Sequence, residues 1–153
     1  MIAHTSLRLA SIALAATLAL GTPLAASAGK SVGPDTSEVE LRDGYASILV
    51  VRKDNANMGA FMAGFGEELE GDFDIIEWVV PKKVKAKDIQ EVVERFHPSA
   101  VVLMDNPMVA AYREYEKDFA GTEAPPAIIV MSLFLEETRQ GLHASTGIFY
   151  EVP

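Results

Sequence analysis

Short, nearly uninterrupted apolar runs recur along this chain, each followed by a stretch whose apolar residues return at helical spacing, and this alternation constrains the fold more than any other feature. Residues 45–52 (Tyr-Ala-Ser-Ile-Leu-Val-Val-Arg) have the β-branched, continuous centre of a strand buried on both faces. Met58, Phe61, Met62, Phe65 and Leu69 then fall on one helical side before Gly71 and Asp72, which predicts a helix over 57–70. Residues 73–80 read as a second strand stopped by Pro81, and Ile89, Val92, Val93 and Phe96 mark a helix ending before Pro98. Residues 100–104 make a third buried strand. Asp105 and Asn106 form a turn and cap, Pro107 suits the first helical position, and the helix behind it carries Tyr112, Tyr115 and Phe119 on one side. Residues 121–126 break that helix, 127–131 make a fourth strand, 135–140 a short helix closed by Gly141, and 147–152 a last strand.

Strands that alternate with helices over such short connections require right-handed crossovers, and therefore a parallel sheet. The expected fold is α/β, a three-layer flavodoxin-like lobe with strand order 2-1-3-4-5. Ligands of such sheets sit outside the carboxyl ends of the strands where the order reverses, which directs attention to residues 53–57, 105–108 and 132–134.

Ahead of this domain the first eight residues hold Arg8 and no acid, followed by an apolar run over 9–20, then Gly21, Pro23 and the small-x-small site Ala26-Ser27-Ala28. That is the order of a secretory signal, and the run is short of the roughly twenty residues a membrane span needs. The expected organisation is a signal peptide over 1–28, a Gly/Ser/Pro-rich leader over 29–43 and the α/β lobe over 44–153, with the mature chain in the periplasm. An uncleaved amphiphilic anchor is the alternative. The chain has no cysteine, so neither a lipidated cysteine nor a disulfide framework is available. Acidic residues outnumber basic ones 22 to 13, a net charge of −9, and that field repels nucleic acid and anionic lipid.

Candidate ligand-binding residues cluster at three strand ends. Asp54, Asn55 and Asn57 follow the first strand and can orient a small solute, or cap the helix behind them. Asp105, Asn106 and Met108 open the third helix, whose free N–H groups suit an anionic group, although the carboxylate of Asp105 would itself occupy that field. Ser132 and Phe134 after the fourth strand combine a hydroxyl with an apolar wall, the composition of a cleft or equally of core filling. No catalytic site is expected. His97 and His143 stand alone, without a second ligand at metal spacing, and the pairs Glu67-Glu68 and Glu136-Glu137 point in divergent directions, as on a solvated helix face. No phosphate-binding loop, dinucleotide fingerprint or Gly-x-Ser-x-Gly elbow occurs, and no cofactor is expected. Gly64 and Gly66 fall inside the first helix and read as close-packing positions.

The closing segment Ser145-Thr146-Gly147-Ile148-Phe149-Tyr150-Glu151-Val152-Pro153 resembles the Thr-Gly-aliphatic-x-Tyr-x-Val-Pro segment of ABC transporter substrate-binding proteins, where this strand leaves the first lobe for the hinge. Gly64-Phe65 with Leu69, the Pro98-Ser-Ala-Val-Val-Leu run and the Pro126-Ala-Ile-Ile-Val run follow in the family's order. The resemblance implies the first lobe of a type I periplasmic binding protein. Its function would be capture of a small solute such as an amino acid and delivery to a membrane ABC permease. Because the family's second lobe would begin at Pro153, the expectation is either a truncated piece of a two-lobe protein or a single lobe whose cleft is completed by a partner, a second lobe or a second copy in a homo-dimer. Two other classes fit the same strand order. One is a non-catalytic structural or interaction module of the cell envelope. The other is a receiver-like domain using Asp54, Asp105 and Ser132, which lacks a lysine on the last strand and has Lys53 where an acid is expected.

Overall fold

The computed structural model describes residues 39, 41–56, 58–69, 71–80, 83–130, 132 and 135–148. Residues 1–38 and 40, where a signal and leader are expected, together with Asn57, Phe134 and the closing residues 149–153, lie outside this set. The elements follow in the order β1 (Ala46–Lys53), α1 (Met58–Leu69), β2 (Phe73–Val80), α2 (Ala86–Phe96), β3 (Ala100–Leu103), α3 (Asn106–Tyr115), β4 (Ala127–Ile129), α4 (Leu135–Arg139) and β5 (Ser145–Gly147). All strand pairs are parallel, in the order β2-β1-β3-β4-β5. The fold is thus α/β with the flavodoxin-like order that the alternation predicts.

The central strand explains why its sequence is continuously apolar. Leu49 and Val51 face one layer, and Ile48 and Val50 face the other, so residues 47–51 are all buried. At the edge, β2 alternates between buried Ile76, Trp78 and Val80 and partners that are half-buried or exposed. One side of the sheet packs against α2, α3 and Leu135 of α4 in a large cluster; among the described residues the other packs against α1 alone. Each fully buried aliphatic side chain stabilises the fold by about 1.5–3 kcal/mol, so most of the hydrophobic driving force lies on the first side.

Helix ends are set locally. The backbone N–H of Lys85 donates to Asp88 Oδ2 at 2.9 Å, and α2 stops at His97, whose φ of 47° leaves the helix just before Pro98. Asp105 caps α3, which begins at Asn106, one residue ahead of the Pro107 start expected from sequence. Beyond Tyr115 the chain widens into a π turn over Glu116–Ala120. This rotates the face: Tyr112 and Tyr115 are buried with rings 5.3 Å apart, whereas Phe119 is 48% exposed and does not share their side.

Glycine roles also differ from expectation. A Cβ on Gly64 or Gly66 meets no described atom within 4 Å, so neither is a close-packing position in the described structure. At Gly147, by contrast, a Cβ would lie 2.6 Å from Leu135 Cδ1 and 2.8 Å from the Ile129 carbonyl, so only glycine lets α4 settle on β5.

The end of the sequence-defined leader is tied to the lobe. The backbone N–H of Arg42 donates to Asp74 Oδ2 at 2.6 Å and its Nε to Oδ1 at 2.5 Å, while Val39 packs against the larger core cluster. The fourth strand ends at Ile129, two residues short of the expected 131, although Val130 N–H still donates to the Leu103 carbonyl at 2.9 Å. The fifth strand begins at Ser145, two residues early.

Candidate functional site

The strand order places the carboxyl ends of β1 and β3 side by side, with β4 next to β3, and the reversal of direction falls between β1 and β3. Lys53, the last residue of β1, is 51% exposed and reaches across this point to Asp105, its Nζ lying 2.9 Å from Oδ2. The other carboxylate oxygen of Asp105 accepts the backbone N–H of Met108 at 3.0 Å, capping α3. One carboxylate therefore joins two elements, and the neighbouring charge is balanced without a ligand.

The cap also changes what the start of α3 offers. Pro107 has no N–H, and the N–H of Met108 is held by Asp105, so the positive end of the helix is already answered by the chain's own carboxylate. An anionic group would have to displace Asp105 to reach it. At the next strand end Ser132, buried, donates its hydroxyl to Asn106 Oδ1. This hydrogen bond links the end of β4 to the first residue of α3.

Among the sequence-derived candidates, Asp54 and Asn55 are exposed on the loop after β1, where the Asn55 carbonyl accepts the Met58 N–H at 2.9 Å. Asp105, Asn106 and Ser132 join the same rim through the two contacts above. Met108 does not: its side chain is 1% exposed in the core, and it serves the site through its backbone N–H. Asn57 and Phe134 lie outside the described residues. Lys53 was absent from the candidate ligands. The signal that could have found it is topological, because adjacency of β1 and β3 brings any long side chain at position 53 to the acid at position 105.

Chemically, the rim offers an ammonium, two carboxylates, two amides and a hydroxyl, opposite charges with donors and acceptors of both kinds. Ser132 donates to an amide oxygen, which cannot act as its base. His97 precedes β3 and His143 precedes β5, so both lie at the amino end of the sheet, away from Ser132. Among the described residues no group of three or more His, Asp or Glu side chains is placed to hold a metal, and no helix is long and apolar enough to cross a membrane. The chain matches no family model, no curated protein and no solved structure.

Proposed function

We propose that this chain is the first lobe of an exported solute-binding component of an ABC uptake system, holding a small zwitterionic solute such as an amino acid at the carboxyl ends of β1, β3 and β4. The observation that carries the reading is the Lys53–Asp105 pair at the point where strand order reverses, flanked by the Asn106–Ser132 hydrogen bond. A zwitterion's carboxylate competes for Lys53 while its ammonium is drawn to Asp105 and Asp54, so neither charge of the pair is left alone on binding. Asn55, Asn106 and Ser132 supply orienting hydrogen bonds. Lys53, Asp54 and Asn55 are exposed, so tight binding requires a covering surface from a second lobe or a second copy, and delivery requires a permease in the membrane.

Calorimetric titration of the purified mature chain with amino acids, sugars and small anions tests this directly. The expected result is binding of an amino acid that Lys53→Ala weakens at least tenfold, about 1.4 kcal/mol, with the unfolding midpoint unchanged. Absence of binding across the whole panel would overturn the solute reading in favour of a non-catalytic envelope interaction module. A receiver-like domain gains one point from Lys53, which contacts Asp105 from β1 instead of from the last strand. Against it, both oxygens of Asp105 are engaged, one as a helix cap.

A further inference from the structure

Glu116 is a carboxylate that the rim does not use. It is 4% exposed, turned inward where α3 widens into the π turn. One oxygen, Oε2, accepts the backbone N–H of His143 at 3.0 Å, and the other, Oε1, is buried without a partner among the described residues. Three residues earlier Arg113 reaches the same loop. Its Nη2 donates to the Thr138 carbonyl, its Nε is buried without a partner among the described residues, and its side chain lies 3.4 Å from the position a Cβ on Gly141 would take. Gly141 has φ +82°, so the loop bends over Arg113 in a conformation that favours glycine. The end of α3 thus grips the α4–β5 segment, at Thr138 in the last turn of α4 and at His143 in the loop before β5.

That segment sets the position of the edge strand. β5 starts two residues after His143, pairs among the described strands with β4 alone, and is held by hydrogen bonds such as Ile148 N–H to the Ile129 carbonyl at 3.0 Å. A buried carboxylate with one oxygen unpaired favours its neutral form, and burial raises the Glu116 carboxyl above its ordinary value of 4.5. The His143 N–H and the charges of His143 and Arg113 oppose that rise. The other titratable groups facing it from α3 are Tyr112 and Tyr115, both raised mainly by burial, and Glu94 of α2 acts on Tyr115.

We propose that Glu116 is a proton-operated latch on the α4–β5 segment: neutral, it stays buried under the segment; ionised, its unpaired Oε1 gains water only when the segment lifts, so β5 frays from β4 although the His143 N–H bond favours the anion. A raised carboxyl contributes grip that is complete below the unfolded carboxylate value and is lost as pH rises through the folded one. The proton is exchanged with solvent. An exported protein experiences external pH, which would then act on the strand that leads out of the lobe.

Amide hydrogen exchange of the full chain by NMR, corrected for intrinsic rates, tests the latch at pH 4, below the ordinary carboxyl value, and at pH 7.5. In the wild type, protection at His143 and Ile148 falls between the two, up to tenfold for each unit by which the carboxyl is raised. In Glu116→Gln, whose amide oxygen still accepts the His143 N–H, protection stays high at both. Constant wild-type protection overturns the proposal, as does the same fall in the Gln variant. If His143→Gln abolishes the fall, the imidazole and not Glu116 is the switch, which also overturns it. Should the Gln variant not fold, the wild-type and His143→Gln arms still decide. No solute enters this test, so its failure is distinguishable from failure of the binding reading.

Discussion

Behind β1 and β3, α2 and α3 press Ile89, Val92, Val109 and Tyr112 into the sheet with no solvent exposure, whereas α1, in front of β1, buries only Met58 and leaves Phe61, Met62, Phe65 and Leu69 partly exposed. The outward sides differ as well. α2 presents Lys87, Glu91, Glu94 and Arg95, while α1 presents Gly59, Ala60, Ala63 and Gly64 before its two glutamates. A helix in water normally segregates apolar and charged faces, and α1 does not. Each of its glycines costs about 1 kcal/mol relative to alanine. Nothing in the structure explains Gly59, Gly64 or Gly66, since a Cβ at each meets no described atom within 4 Å. The difference teaches that helical periodicity identifies a helix but not how deeply it is buried. Depth depends on how many neighbours share its face, and in the described structure α1 has that face to itself.

The comparison breaks most visibly under truncation. Ile89→Ala should cost about 3 kcal/mol and Met62→Ala only about 1 kcal/mol by urea unfolding, because the second side chain already contacts solvent. Equal costs would mean that α1 is as well packed as α2. Next in size, Gly64→Ala should stabilise the chain by about 1 kcal/mol through helix propensity alone, and a loss of stability would reveal a close contact on that helix. The smallest effect concerns the rim of the same flank, where Arg42 and Asp74 line a groove with Met62 and Phe73. The Arg42 side-chain and backbone hydrogen bonds hold the Asp74 carboxyl below its ordinary value. Its contribution is therefore present above the unfolded carboxylate value and is lost as pH falls through the folded one. Arg42→Ala should flatten the decline of thermal stability on acidification below the ordinary carboxylate range, and an unchanged decline would show the pair to be inconsequential. Glu116 is its counterpart on the other flank with the opposite sign, losing its contribution as pH rises.

Much of the fold was legible because it rests on local periods. Residues 48–51 are buried on both sides, and Ile89, Val92, Val93 and Phe96 repeat at helical spacing, so each element follows from a window of about ten residues. Of the rim, the polar strand ends at Asp105, Asn106 and Ser132 were legible, as a known strand order turns strand ends into neighbours. Met108 was misread because a helix start exposes some side chains and buries others, and only packing shows which. Phe119 was misread because its spacing from Tyr115 assumes a regular helix, and the π turn breaks that assumption.

By itself, the sequence determined the alternation of strand and helix and, through the handedness of crossovers, a parallel sheet, because backbone sterics and side-chain period act between near neighbours. Only the tertiary structure decided that Lys53 meets Asp105, that Arg42 holds Asp74 across 32 residues, and that Glu116 is buried against His143. Those pairings join residues far apart in the chain, and which of them form depends on how the sheet brings its strand ends and loops together.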